Sequence, residues 1–435
     1  MMKQRILSIG VALGLTLGFF VQNHGLAVQT RVLRPTFYPN HFSQMGDLAI
    51  IYNNDGIHGG QLYTLINHIV AGKNKVSAYA VGNHVLDATF SPNGKWMAVT
   101  QSDGSQQSLW LVSANGRIRD KLGNNIVDPV FSSSNQLMYS IGNKVYTMTL
   151  GQNTNHIILS LPKNSSIRGI SINHHDGQVA LAVVRNVTNY RQWYDEIMIW
   201  NRVSHTLRLL VKASVPNGLI VGPWAKNGDS LFYWADPDHS ASLLADGTSL
   251  YNIAKHDPAT LVGHTFTTSD GVIPFGTDQA VVWNTQSRYL FAAPKTLQLW
   301  HDRYVPPMKN NVMLYPTISA QGSRLAFVYG LTLNPSAQGP QVLKWLTTLK
   351  LATFDLRTGT LTTLPAAGSG VSTPMFDATG QQILFTRQND VCWIRVKNHS
   401  QAVPIVTMPG NTIQGYPQYG SILYAVEIAD YLPTP

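Results

Sequence analysis

Asp87 and Asp128 open two short stretches of the same form, "DATFSPNG" and "DPVFSSSN", and His84 stands three residues ahead of the first. Two carboxylates and an imidazole brought together could hold a metal or move protons, the chemistry of a lyase- or lactonase-like centre. "NHHDG", 173–177, offers two histidines and an aspartate, but adjacent histidines on a tight turn point to different sides, so it reads as a decorated turn. "DGIHGG", 55–60, matches an esterase oxyanion loop in letters only. No G-x-S-x-G nucleophile elbow occurs anywhere in the chain. "NNDG" and "DPDH" lack the Asp-x-Asp-x-Asp-Gly ladder of a calcium loop. The sequons at Asn164, Asn186 and Asn398 are unsurprising in an Asn-rich chain. No cofactor and no dedicated metal site are expected.

Recognition chemistry is better represented. "RNVTNYRQWYDE", 185–196, places Tyr190, Trp193 and Tyr194 beside Arg191 and Asp195, the mixture of rigid aromatics and arginine that dominates recognition surfaces. "ADPDHSASLLADGT", 235–248, adds Asp236 and Asp238, and "YGLTLNPSAQGPQVLKW", 329–345, is a third long connection. Long loops on a rigid scaffold carry function. The expectation is one binding surface lined by these three loops.

What positions the loops is a repeat. Beside "DATFSPNGKWMAVT" stand "DPVFSSSNQLMYSI", "RGISINHHDGQVALAV", "VGPWAKNGDSLFYW", "QAVVWNTQSRYLFAA", "YPTISAQGSRLAFVY" and "STPMFDATGQQILFTR". Each is followed by a second alternating run with an aromatic near its middle, such as "SLWLVS" or "DVCWIRV". Gly94, Gly177, Gly228, Gly322 and Gly380 fall where a turn between two strands needs positive φ, and Asn135 takes that place in one copy. Successive turns are about 40 to 58 residues apart, near the roughly 40 to 50 of a propeller blade. Outside the first 27 residues no long run has apolar residues at i, i+3, i+4 and i+7. The fold expected is all-β, a propeller of eight four-stranded blades. Seven blades follow if residues 218–313 form one enlarged blade around the weak boundary "HTFTTSDGVIPFGTDQ". The C-terminal "SILYAVEIADYL" is expected to complete the first blade, closing the ring by pairing the two chain ends.

The F-S-P-N-G-K-x-φ-A run at Phe90 to Ala98, with its aromatic-centred later strand, resembles the TolB-like or WD40-like propeller repeat, which also builds the propeller of prolyl-oligopeptidase-type peptidases. The resemblance covers most of residues 28–435. It implies a propeller used as a binding platform in or outside the cell envelope. The sequence departs from TolB in having too few residues before the first repeat for its α/β domain. It departs from the peptidases in having no serine elbow.

Composition sets the compartment. Lys3 and Arg5 precede "ILSIGVALGLTLGFFV" and a polar stretch ending in Gly25 and Ala27, so residues 1–27 read as a secretory signal cleaved after Ala27. The uncharged stretch of 16 residues is shorter than the roughly 20 a membrane span needs. An uncleaved leader would be the only membrane contact. Cys392, the single cysteine, excludes an intrachain disulfide and reads as a small buried hydrophobe. Net charge is +9 without any Lys/Arg run, which argues against nucleic acid. Only 12% of residues are charged, so few ion pairs are lost in acid, and a flat stability profile between about pH 3 and 7 is expected of an acidic habitat. The function expected is a secreted or envelope-located, non-catalytic scaffold that binds a protein or an envelope polymer, as a monomer or within an envelope complex. The competing reading is the enzyme with His84, Asp87 and Asp128 in a central channel.

Overall fold

The computed structural model describes most of residues 36–428; outside the description lie 1–35, 39–46, 53–59, 429–435 and short loop segments, the longest of them 236–247 and 285–295. The expected leader lies outside the described residues. Among those described, no helix is long and apolar enough to cross a membrane.

Each repeat forms an antiparallel sheet in which spatial order follows chain order. In the blade of residues 165–212, Ser165–Ile172 pairs with Val179–Arg185, then Tyr194–Asn201, then Thr206–Lys212. The second strand, "VALAVVR", is buried at six of its seven residues because neighbouring sheets cover both its faces. The fourth strand, "TLRLLVK", faces the rim and is exposed at four of its seven. Apolar content therefore falls from the interior of each blade to its outer edge, and the core lies between blades.

The turn chemistry explains the repeated motif. Ser91 N–H donates to Trp96 O at 2.9 Å, and Ser132, Asn173, Ala225, Ser319 and Asp377 make the same bond in their blades at 2.8 to 3.0 Å. In three of them the side chain doubles the closure: Ser91 Oγ accepts from Trp96 N–H at 3.0 Å, Ser319 Oγ from Arg324 N–H at 3.1 Å and Asp377 Oδ1 from Gln382 N–H at 2.9 Å. All five turn glycines named from sequence have φ between 64° and 73°. At Gly228 space is also closed, since a Cβ would lie 2.5 Å from Asn173 Oδ1 and 2.9 Å from His175 Cβ of the adjacent blade.

Neighbouring turns are tied together. Asn173 Nδ2 donates to Gly228 O at 2.9 Å and Arg324 Nη1 to Gly380 O at 3.3 Å, each across a blade boundary. The first-to-second-strand turns thus share one side of the disc, the turn face. The second-to-third-strand connections must then share the other, the loop face.

Blade count departs from expectation. Among the described residues there are five sheets of four strands, one of five and one of seven, plus a two-stranded ladder, so six discrete blades appear in place of eight or seven. The physical reason is the strand Lys73–Phe90, 18 residues without a break. Its first part pairs with Gly60–Val70 and its last part with Trp96–Ser102, which fuses two repeats into one sheet. The C-terminal strand Ile422–Ile428 pairs with Asp47–Tyr52 in that sheet, as the closure expected from sequence requires. Thr36–Phe37 adds a fifth, outermost strand beside Val403–Thr407.

A second departure is helical. The connection 329–345, expected to be a plain loop, carries the helix α1 (Gly339–Leu346). Trp345 and Leu346 are buried at its end, and Trp345 Nε1 donates to Leu331 O at 2.6 Å.

Candidate functional site

The loop face is most fully described on the blade of residues 165–212. Trp193 is half-buried, and the Arg168 guanidinium lies 5.5 Å from its ring centroid. Tyr194, also half-buried, has Lys212 Nζ 4.4 Å from its centroid. Both cations are exposed. Arg168 lies at a bulge in the first strand and Lys212 ends the fourth, so the two cation–ring pairs stand toward the axis and toward the rim on either side of the connection that carries Trp193 and Tyr194. Exposed pairs of this kind are worth about 0.5–1 kcal/mol each.

Asp195 turns the other way. It is 3% exposed, and its Oδ2 accepts from Leu219 N–H of the next blade at 3.1 Å. Glu196, 7% exposed, pairs with Arg185 at 2.7 Å. Arg185 Nη1 also donates to Ser165 Oγ at 2.7 Å. Alternation along the strand accounts for this: Tyr194 faces one side of the sheet and Asp195 the other. Tyr190, Arg191, Asp236 and Asp238 lie outside the described residues. Of the seven residues expected to form the surface, the structure brings Trp193 and Tyr194 together with two cations that sequence reading passed over. One signal was available for Arg168, which occupies the slot filled by Leu86, Val127, Ile220 and Leu314 in other copies.

The second location is the axis. The inner strands carry register shifts at Asp128-Pro129, Gly222-Pro223, Tyr315-Pro316 and Thr373-Pro374. Proline is tolerated there because an innermost strand has no ladder partner on its axial side. Asp128, Tyr315 and Thr373 have φ of 42°, 52° and 43°, the local kink that re-aims a side chain at a bulge.

Asp87 occupies the matching place in its blade, and burial raises its carboxyl above the ordinary range against an Ala88 N–H bond of 2.8 Å. Asp128 is exposed, with its Oδ2 lying against Gly169 of the adjacent blade. Burial pushes its carboxyl up to about 6, bonds from Ile170 N–H and its own N–H oppose the rise, and the charge of Asp87 adds to it. His84 is exposed at φ 56°. Among the described residues no three His, Cys, Asp or Glu side chains converge as metal ligands, so the two aspartates form a pair without a third member.

Other sequence features resolve structurally. In "NHHDG" Asn173 is buried and bonded across the blade boundary while His174 and His175 are exposed. "DGIHGG" lies mostly outside the described residues. Cys392 is fully buried, and burial pushes its thiol up to about 12.

No protein-family model matches the chain, and no curated protein matches it in sequence. Solved structures do. A dipeptidyl peptidase 4 from Porphyromonas gingivalis is similar at 9% identity and TM-score 0.52, over 86% of this chain and 60% of that enzyme. A eukaryotic initiation factor is similar at 10% identity and TM-score 0.51, over 92% and 91% of the two chains. TolB from Acinetobacter baumannii aligns at 12% identity over 80% and 77%, with TM-score 0.34. The chain thus spans about 60% of the length of the peptidase it matches. At these identities the likeness is one of fold.

Proposed function

We propose that this protein is a TolB-like β-propeller exported to the cell envelope or beyond, which binds a protein or envelope polymer through its loop face without catalysing a reaction. In this reading the ring has eight blades, six discrete and two fused through the strand Lys73–Phe90. In support, the inner strands contact one another in chain order from that strand to Ile422–Ile428. The observation that carries the functional reading is the row of Arg168, Trp193, Tyr194 and Lys212 on the one face whose connections vary from blade to blade. Rigid aromatics with adjoining cations are the composition of interface anchors. Affinity capture from the native organism with the mature protein and with a Trp193→Ala/Tyr194→Ala variant as paired baits tests it. A partner retained by the first and lost by the second is the expected result; identical recovery with both baits contradicts it.

A second reading is favoured by the Asp87–Asp128 pair, whose raised carboxyls suit proton transfer in a channel enzyme. It predicts turnover of a polymer or lactone substrate that Asp128→Asn abolishes and Trp193→Ala spares.

A further inference from the structure

Charge on the upper edge of the blade of residues 165–212 is unevenly disposed. Among the described residues there stand four cations, Lys163 in the turn just ahead of the first strand with Arg168, Arg185 and Lys212, and two carboxylates, Asp195 and Glu196. Both carboxylates are turned inward and engaged, Asp195 by Leu219 N–H and Glu196 by Arg185. Among the described residues of this edge, Lys163, Arg168 and Lys212 are exposed while both carboxylates are buried, so the charge these residues show to solvent is positive.

We propose that this edge is a subsite for a linear, carboxylate-bearing glycan. The inference rests on the loop-face reading above and adds the chemistry of the ligand. Arg168 and Lys212 each rest on a ring, which holds the charge in place while its other side faces outward. A guanidinium so placed can meet a carboxylate with two parallel hydrogen bonds. The row runs from first strand to fourth, about 14 Å at three interstrand spacings, too long for a single small anion and suited to charges repeated along a chain. Among the described residues three cations span that length, too sparse for nucleic acid, whose duplex carries a charge every 1.7 Å or so. Beside the cations lie carboxamides: Asn164 Nδ2 donates to Asn186 Oδ1 at 3.1 Å and Asn186 Nδ2 to Gln192 O at 3.1 Å. Amide oxygens and hydrogens at such an edge match sugar hydroxyls better than they match an acidic peptide.

The test uses the full mature chain and three probes: alginate as a linear polyuronate, alginate with its carboxyls fully esterified, and polyglutamate. Binding is read by titration calorimetry with increasing NaCl. The proposal expects alginate to bind with an affinity that falls as salt rises, the ester and polyglutamate to bind at least tenfold more weakly, and Arg168→Ala/Lys212→Ala to lose at least tenfold. A Lys226→Ala/Arg357→Ala variant, which removes the same charge from exposed turn-face residues, is expected to bind as the wild type does. Arg168→Lys controls for folding and is expected to retain intermediate affinity with an unchanged circular dichroism spectrum. Failure of alginate to bind, equal binding of the ester, or equal binding of polyglutamate overturns the glycan assignment. If the ester binds equally and the loop-face double variant still abolishes binding, the loop-face reading stands without its carboxylate chemistry. If the double variant leaves binding of every probe unchanged, the subsite itself is refuted.

Discussion

On the turn face, Ser91, Ser132, Asn173, Ala225, Ser319 and Asp377 close six turns with one and the same backbone bond, and adjacent turns bond to each other. On the loop face, the corresponding connections range from the two residues Gly142 and Asn143 to a segment containing the helix α1. The two faces arise from one repeat, so the contrast separates what the ring requires from what it leaves open. Positions that close these turns keep the same backbone hydrogen bond whatever side chain they carry. Positions that only bridge two strands are released, and charge and aromatic surface collect there.

That contrast predicts a graded response to substitution. The largest effect belongs to Gly228→Ala, which adds a methyl group against Asn173 and fixes an L-residue at φ 73°. Left-handed backbone and overpacking together should cost about 2–4 kcal/mol in urea unfolding. Asn173→Ala should cost about 1–3 kcal/mol, because Gly228 O and His175 N–H lose their partner. Asp195→Ala is the instructive exception on the loop face. It should cost a similar 1–3 kcal/mol by leaving Leu219 N–H unbonded, and thereby behave as a turn-face residue does. A loss below about 0.5 kcal/mol there would blur the division between the faces.

The axis supplies a pH-dependent test. Because the carboxyl of Asp128 is raised in the folded state to about 6, folding favours its protonated form. The stabilising contribution is complete below the unfolded value of 3.8 and is lost as pH rises through about 6. Asp128→Asn should therefore raise the urea midpoint at pH 7.5 and leave it unchanged near pH 3.5. A variant that lowers the midpoint at pH 7.5 would show that the ionised carboxylate stabilises the ring. The smallest effect is expected of Lys212→Ala, within about 0.5 kcal/mol of wild type, because an exposed side chain on a ring contributes little to folding.

Sequence and structure agree where the signal is local. The turn glycines and the strand alternation are fixed by chemistry within a few residues, and both could be read directly. Blade separation could not be, because "YAVGNHVLDATF" holds two strands that run together without a proline or a turn to divide them. Helix α1 spans eight residues, too short for a helical period to stand out. Trp193, Tyr194 and Asp195 looked alike as interface residues. Which of them turns inward depends on contacts with Lys212 and Leu219, outside the loop itself. Arg168 was detectable only as a cation in a slot that four other copies fill with aliphatics and one with Ser372, a signal visible after the repeats are aligned.

The central claim, that one face holds the ring and the other binds, is tested most directly by comparing two charge-matched variants of the full chain against one ligand by titration calorimetry. Alginate affinity should fall at least tenfold in Arg168→Ala/Lys212→Ala and stay at the wild-type level in Lys226→Ala/Arg357→Ala. Equal losses in both, or a loss in the second alone, would contradict the account.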